Sequence, residues 1–129
     1  MNNLELALGV EEYQIAGGGV LRFNPSDPNL YARFLDSLEE LTALEAELTK
    51  AQATDGVQVL QLLSQADSRA KGILGRVFPG NDLEAVFAGV SLLAVGDNGQ
   101  RLLTNFMNAL EPILREGVRR CAAAEAAKL

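Results

Sequence analysis

The chain has 129 residues, a mass of 13.8 kDa, 48% hydrophobic residues and a net charge of −6. It is one ordinary globular domain's worth of sequence, long enough to bury a core without a disulfide or metal staple. There is no histidine, a single cysteine and no tryptophan, which removes the commonest general base, any multi-thiolate zinc site and an aromatic platform for single-stranded nucleic acid.

Residues 1–24 read as strand. Leu4, Leu6 and Leu8 alternate with polar or small neighbours, and Tyr13-Gln14-Ile15 and Val20-Leu21-Arg22-Phe23 flank Gly17-Gly18-Gly19. Two alternating runs around glycines predict a β-hairpin, since glycine supplies the positive φ of tight turns. The triplet is not a phosphate loop, because no Lys-Ser/Thr follows it.

Asn24-Pro25-Ser26-Asp27-Pro28 predicts a helix start, with Asp27 as the cap and Pro28 at the first helical position. The first helix is expected from Pro28 to about Ala53, with an apolar stripe of Tyr31, Phe34, Leu35, Leu38, Leu41, Leu44 and Leu48. Asp36, Glu39, Glu40, Glu45 and Glu47 form a solvated face. Adjacent acids such as Glu39 and Glu40 diverge around a helix and do not make an acid–base pair. Thr54-Asp55-Gly56 turns the chain into a second helix, about Val57 to Val77, with a stripe of Val59, Leu60, Leu63, Ala66, Ala70, Ile73 and Val77. The short loop makes these two helices antiparallel neighbours. Gly72 and Gly75 mark a close crossing or a fraying end.

Pro79-Gly80-Asn81-Asp82 predicts a turn, with Asn81 capping a short helix from Asp82 to Ala88. Val90–Val95 reads as strand, helical turn or buried connector. Asp97-Asn98-Gly99 lacks the downstream glutamate of a calcium loop and reads as a capping turn. The last helix is expected from about Asn98 to Ala126, kinked near Ala109 because Pro112 removes a hydrogen bond, with Cys121 on its buried stripe. The alanine-rich end, 122–129, is expected to fray. The fold class is therefore mainly α (α+β) in a single domain, 1–129: a hairpin packed on an antiparallel helix pair, a short helix and a kinked C-terminal helix. Phe34, Leu38, Leu41, Leu63, Ile73, Phe87, Phe106 and Leu110 are the expected core.

Residues 1–67 carry eleven acids against three bases, a balance of −8; residues 68–129 carry six acids against eight bases, or +2. The acidic balance argues against nucleic acid as a partner, and the asymmetry suits a basic partner or head-to-tail self-association. No apolar run reaches the roughly 20 residues of a membrane span. The start, MNNLELAL, lacks the basic and long apolar regions of a signal peptide, so a cytoplasmic protein is expected.

The segments YQIAGGGVLRFNPSDPNLYARFLDSLEEL (13–41) and VFPGNDLEAVFAGVSLLAVGDNGQRLLTNFMNALEPIL (77–114) resemble tail assembly chaperones of long-tailed phages and prophages of Gram-positive type. In that family a hairpin feeds a helix opened by Asp/Asn-Pro, and a pair of Phe-Gly turns precedes the last helix. Phe78-Pro79-Gly80 and Phe87-Ala88-Gly89 match those turns with substitutions. The resemblance spans about residues 11–118; it does not account for the residues ahead of the hairpin or the alanine-rich end. It implies a non-enzymatic protein that keeps the long, helical, hydrophobic tape-measure protein soluble, with no cofactor and no metal. No contact residue carries over from it. From the residues themselves, the helix stripe reaching Leu44 and Leu48 is long for so small a domain. Those two side chains, rimmed by Glu40, Glu45 and Glu47, are the expected surface for an amphipathic helical partner. A self-associating structural or scaffold component of a phage particle and a generic helical adaptor are the alternatives, and a homo-oligomer is compatible with either.

Overall fold

The computed structural model describes residues 1–51 and 55–128. Strand β1 (Glu11–Gln14) pairs antiparallel with β2 (Val20–Phe23), Tyr13 facing Leu21, and is followed by helices α1 (Pro28–Lys50), α2 (Gly56–Val77), α3 (Leu83–Val86) and α4 (Leu102–Ala126). The protein is mainly helical with one N-terminal hairpin, as its sequence pattern predicts. The expected end of the first helix at Ala53, the Thr54 start of the turn and the last residue, 129, lie outside the described residues.

The strand signal of the first ten residues does not become sheet: β1 begins only at Glu11, and residues 1–10 hold no regular structure. A strand needs a neighbour for its backbone groups, and this segment has none among the described residues. The glycine triplet forms the turn and also lets it seat on α3. A Cβ on Gly18 would fall 2.3 Å from the Val86 carbonyl oxygen, and Gly19 N–H donates to that oxygen at 2.8 Å.

α1 opens as expected, Asp27 accepting from the Asn29 amide at 2.9 Å with Pro28 at its first position. Asp55 caps α2 in the same way through the Gln58 amide. The two helices are antiparallel neighbours. The cross-helix pairs Glu47–Arg69 and Glu40–Arg76 show the opposed directions, because one partner's number falls as the other's rises. The core of α1 is Leu30, Phe34, Ser37, Leu41 and Leu44, a seam of alternating four- and three-residue steps. Leu38, expected in the core, lies one step off that seam and is 39% exposed. On α2 the buried positions are Ala66, Asp67, Ala70, Lys71, Leu74 and Val77, while Val59 and Leu60 are exposed and Leu63 and Ile73 only partly buried. The stripe runs out of partner toward the tip of the helical pair.

Asn81, expected to cap α3, is drawn elsewhere. Asp82 caps that helix, and the Asn81 amide bonds to both backbone groups of Arg22. Residues 90–95 are a connector with exposed ends, Val90 and Val95, and a buried middle, Leu92 and Leu93, in the core. Their carbonyls receive the first amides of α4, Leu102 to Ala94 at 2.9 Å and Leu103 to Leu92 at 2.8 Å. This is why the helix starts at Leu102 instead of near Asn98, whose side chain instead closes the loop by accepting from Gln100. α4 then runs unbroken through Pro112 to Ala126. Pro112 offers no N–H to the Asn108 carbonyl, but Asn108 is exposed and water can take that place. The alanine-rich stretch is helical as far as Ala126, the end that the sequence pattern places there. Cys121 is half-buried. The hairpin, its own rings Tyr13 and Phe23 stacked, packs against Phe78 at the end of α2, and Phe78 in turn meets Phe106 of α4.

Candidate functional site

The sequence nominated Leu44, Leu48, Glu40, Glu45 and Glu47 as a partner-binding surface. Leu44 is 2% exposed and packs in the core, and Leu48 is partly buried against it. These leucines are committed to the protein's own interior, because α1 packs on α2 and α4 and both side chains join the core cluster there. The three acids are on the surface, but each meets a cation of a neighbouring element. Both Glu40 oxygens accept from Arg76 Nη2 at 2.8 Å, Glu47 pairs with both Arg69 guanidinium nitrogens, and Glu45 lies 3.6 Å from Arg101. The hydrogen bond from Arg69 holds the Glu47 carboxyl below its ordinary range. Such exposed pairs add about 0–1 kcal/mol each and set the register of α1 on α2 and α4 more than they add stability.

The apolar surface left over on α1 is its neighbouring seam. Tyr31, Leu35 and Leu38 recur at steps of four and three and so share one flank of the helix. Leu35 is 45% exposed. At its N-terminal end the flank runs into a hollow of about 260 Å³ lined by Pro25, Pro28, Tyr31, Val118, Cys121 and Ala122. The expected stripe thus merged two adjacent seams, and only their separation by tertiary packing reveals which one is free. A second exposed apolar group, Val57, Val59 and Leu60, sits at the start of α2 with Asp55 and Gly56.

The buried polar cluster of the molecule is structural in geometry. Lys71 Nζ lies 3.0 Å from both Asp67 and Glu84 and donates to the Val90 carbonyl at 2.9 Å, and Asp67 accepts from the Leu92 amide at 2.8 Å. Every charged group of the cluster is matched, and together they pin the connector to α2. Nothing in the linear pattern marks this cluster. Lys71 and Asp67 are four residues apart, but their place on the buried face appears only once α2 is rotated against the connector.

No family model, curated protein or solved structure matches the chain. No helix among the described residues is long and apolar enough to cross a membrane.

Proposed function

We propose that this protein is a non-enzymatic tail assembly chaperone of a long-tailed phage or prophage, acting in the cytoplasm of the bacterial host. Its client is an amphipathic helix of a tape-measure-type protein. The observation that carries the reading is the flank of α1 on which Leu35 and Leu38 are exposed beside half-buried Tyr31, large apolar side chains at helical spacing that the described residues leave open. Apolar groups in a row on a helix receive a partner helix by burying its apolar face. The loose family resemblance supports the phage setting, and the net charge of −6 supports a role in solubilising a hydrophobic client.

The test is co-expression with the long helical protein encoded beside it. The two should elute together, and the client should be soluble only in the presence of this chain. Leu35→Glu with Leu38→Glu should abolish the complex while leaving the melting temperature near the parent's, because both side chains face solvent. A client equally soluble with and without this protein, with no complex on a sizing column, would overturn the reading.

A further inference from the structure

Residues 1–10 form a segment without regular structure in which Leu4, Leu6, Leu8 and Val10 alternate with Asn3, Glu5, Ala7 and Gly9. That is the period of a strand with one apolar face. Yet the three leucines are 91%, 71% and 63% exposed, and no backbone hydrogen bond joins the segment to other described residues. It is tethered by Asn24, whose Nδ2 donates to the Leu8 carbonyl at 3.0 Å and lies against Gly9, itself at φ +70°. Asn24 follows the last residue of β2, and Glu11 faces Phe23. The segment therefore leaves the hairpin past its open end and does not fold back along β1.

The hairpin has one closed edge and one open edge. Asn81 closes β2, its Oδ1 accepting from Arg22 N and its Nδ2 donating to Arg22 O, both at 2.9 Å. A strand residue directs its N–H and C=O to the same side, so Arg22 and its facing residue Glu12 both turn their backbones away from the ladder. The Ile15 amide bond to Gly19 O agrees with this register. On β1 the outward backbone groups belong to Glu12 and Gln14, and among the described residues they bond to nothing. Between the hairpin and α4 lies an apolar hollow of about 170 Å³, lined by Tyr13 of β1 and Leu21 and Phe23 of β2 on one side and by Phe106, Ala109 and Ile113 of α4 on the other.

We propose that residues 1–10 of one copy add to β1 of a second copy as a third strand, their leucines lying over Ala109 and Ile113 of α4. The donor has a strand's period and no partner; the acceptor has a strand's open edge, on a hairpin that borders an apolar hollow. Both belong to every chain, so they are supplied in equal number. The surface supports it as well. The chain exposes 8583 Å², against roughly 6,600 Å² for a compact monomer of this mass. The excess of about 2,000 Å² per chain exceeds the roughly 800 Å² per partner that a standard protein–protein interface covers. This inference stands apart from the client-binding reading, since it uses neither Leu35 nor Leu38.

Sedimentation equilibrium of the full chain, from micromolar to near-millimolar concentration, should show a species of twice the chain's mass. Deleting residues 1–8 should leave a folded monomer. So should Glu12→Pro, which blocks the outward edge without touching a ladder bond. Circular dichroism and a thermal melt establish that each variant is folded, and if Glu12→Pro does not fold the deletion decides alone. A parent that stays monomeric throughout, or a dimer that survives in either folded variant, overturns the proposal. Slow hydrogen exchange at Leu6 and Leu8 in a monomeric parent would also overturn it, by placing the arm on its own edge.

Discussion

Gly117 lies where α4 crosses the turn ahead of α1, and a Cβ there would fall 1.8 Å from the Pro25 carbonyl oxygen. Elsewhere in a helix Gly→Ala gains about 1 kcal/mol. Here the obstacle is backbone, which cannot rotate aside, so Gly117→Ala should lose about 1–3 kcal/mol by overpacking, read as a lower denaturant midpoint. Lys71 illustrates a second residue-scale effect. Burial pulls its pKa down, but the hydrogen bonds to Asp67 and Glu84 outweigh burial and leave it above the ordinary 10.5. Lys71→Met should cost about 3–5 kcal/mol because it strands Asp67 in the interior. Adding Asp67→Asn, which keeps an acceptor for the Leu92 amide, should recover much of that in a double-mutant cycle. Tyr13 is raised from 10.0 to about 12, first by burial and then by its hydrogen bond to Glu11. Both groups bind their protons more tightly when folded. Their stabilisation is therefore complete below pH 10 and lost as pH climbs, for Tyr13 between 10 and about 12. Tyr13→Phe should flatten that part of a stability–pH curve; an unchanged slope would show that Tyr13 does not contribute.

At the scale of the element, α1 carries two adjacent seams with the same four-three step. Leu30, Phe34, Leu41 and Leu44 are buried in the core that α1 shares with α2 and α4, whereas Leu35 and Leu38 are exposed and Tyr31 is half-buried. Truncation should separate them. Leu44→Ala should cost about 2–5 kcal/mol in a chemical melt, and Leu38→Ala should stay within about 1 kcal/mol. Glu40→Gln and Glu47→Gln each remove one exposed ion pair and should shift stability by less than about 1 kcal/mol. A larger loss would mean the pairs hold α1 and α2 together more firmly than their exposure allows.

For the whole molecule, the balance of buried and exposed surface is the informative quantity. The core runs continuously from Leu21 and Phe23 of the hairpin through Phe78 and Leu92 to Leu114. Most of the large apolar groups exposed outside it gather in three places, the segment ahead of the hairpin, one flank of α1 and the start of α2, with Val90, Val95 and Val118 standing apart. A molecule built this way is expected to gain stability when those groups are covered. The melting temperature of the full chain should therefore rise with protein concentration, by mass action on self-association. A melting temperature independent of concentration would count against any self-associating state.

The sequence by itself determined what depends on neighbours along the chain. Asp27-Pro28 and Asp55 set the starts of α1 and α2, the glycine triplet set the hairpin turn, and three-four spacing set the long helices and their antiparallel pairing. The tertiary structure alone decided how each helix is rotated. It sent Leu44 inward and Leu38 outward, placed Lys71 and Asp67 in the interior, and diverted Asn81 from a cap to the edge of β2. Helical periodicity specifies a stripe roughly a third of the circumference wide, and several rotations bury such a stripe almost equally well. Which one is adopted depends on contacts between residues far apart in sequence, and it is those contacts that leave the α1 flank and the β1 edge open.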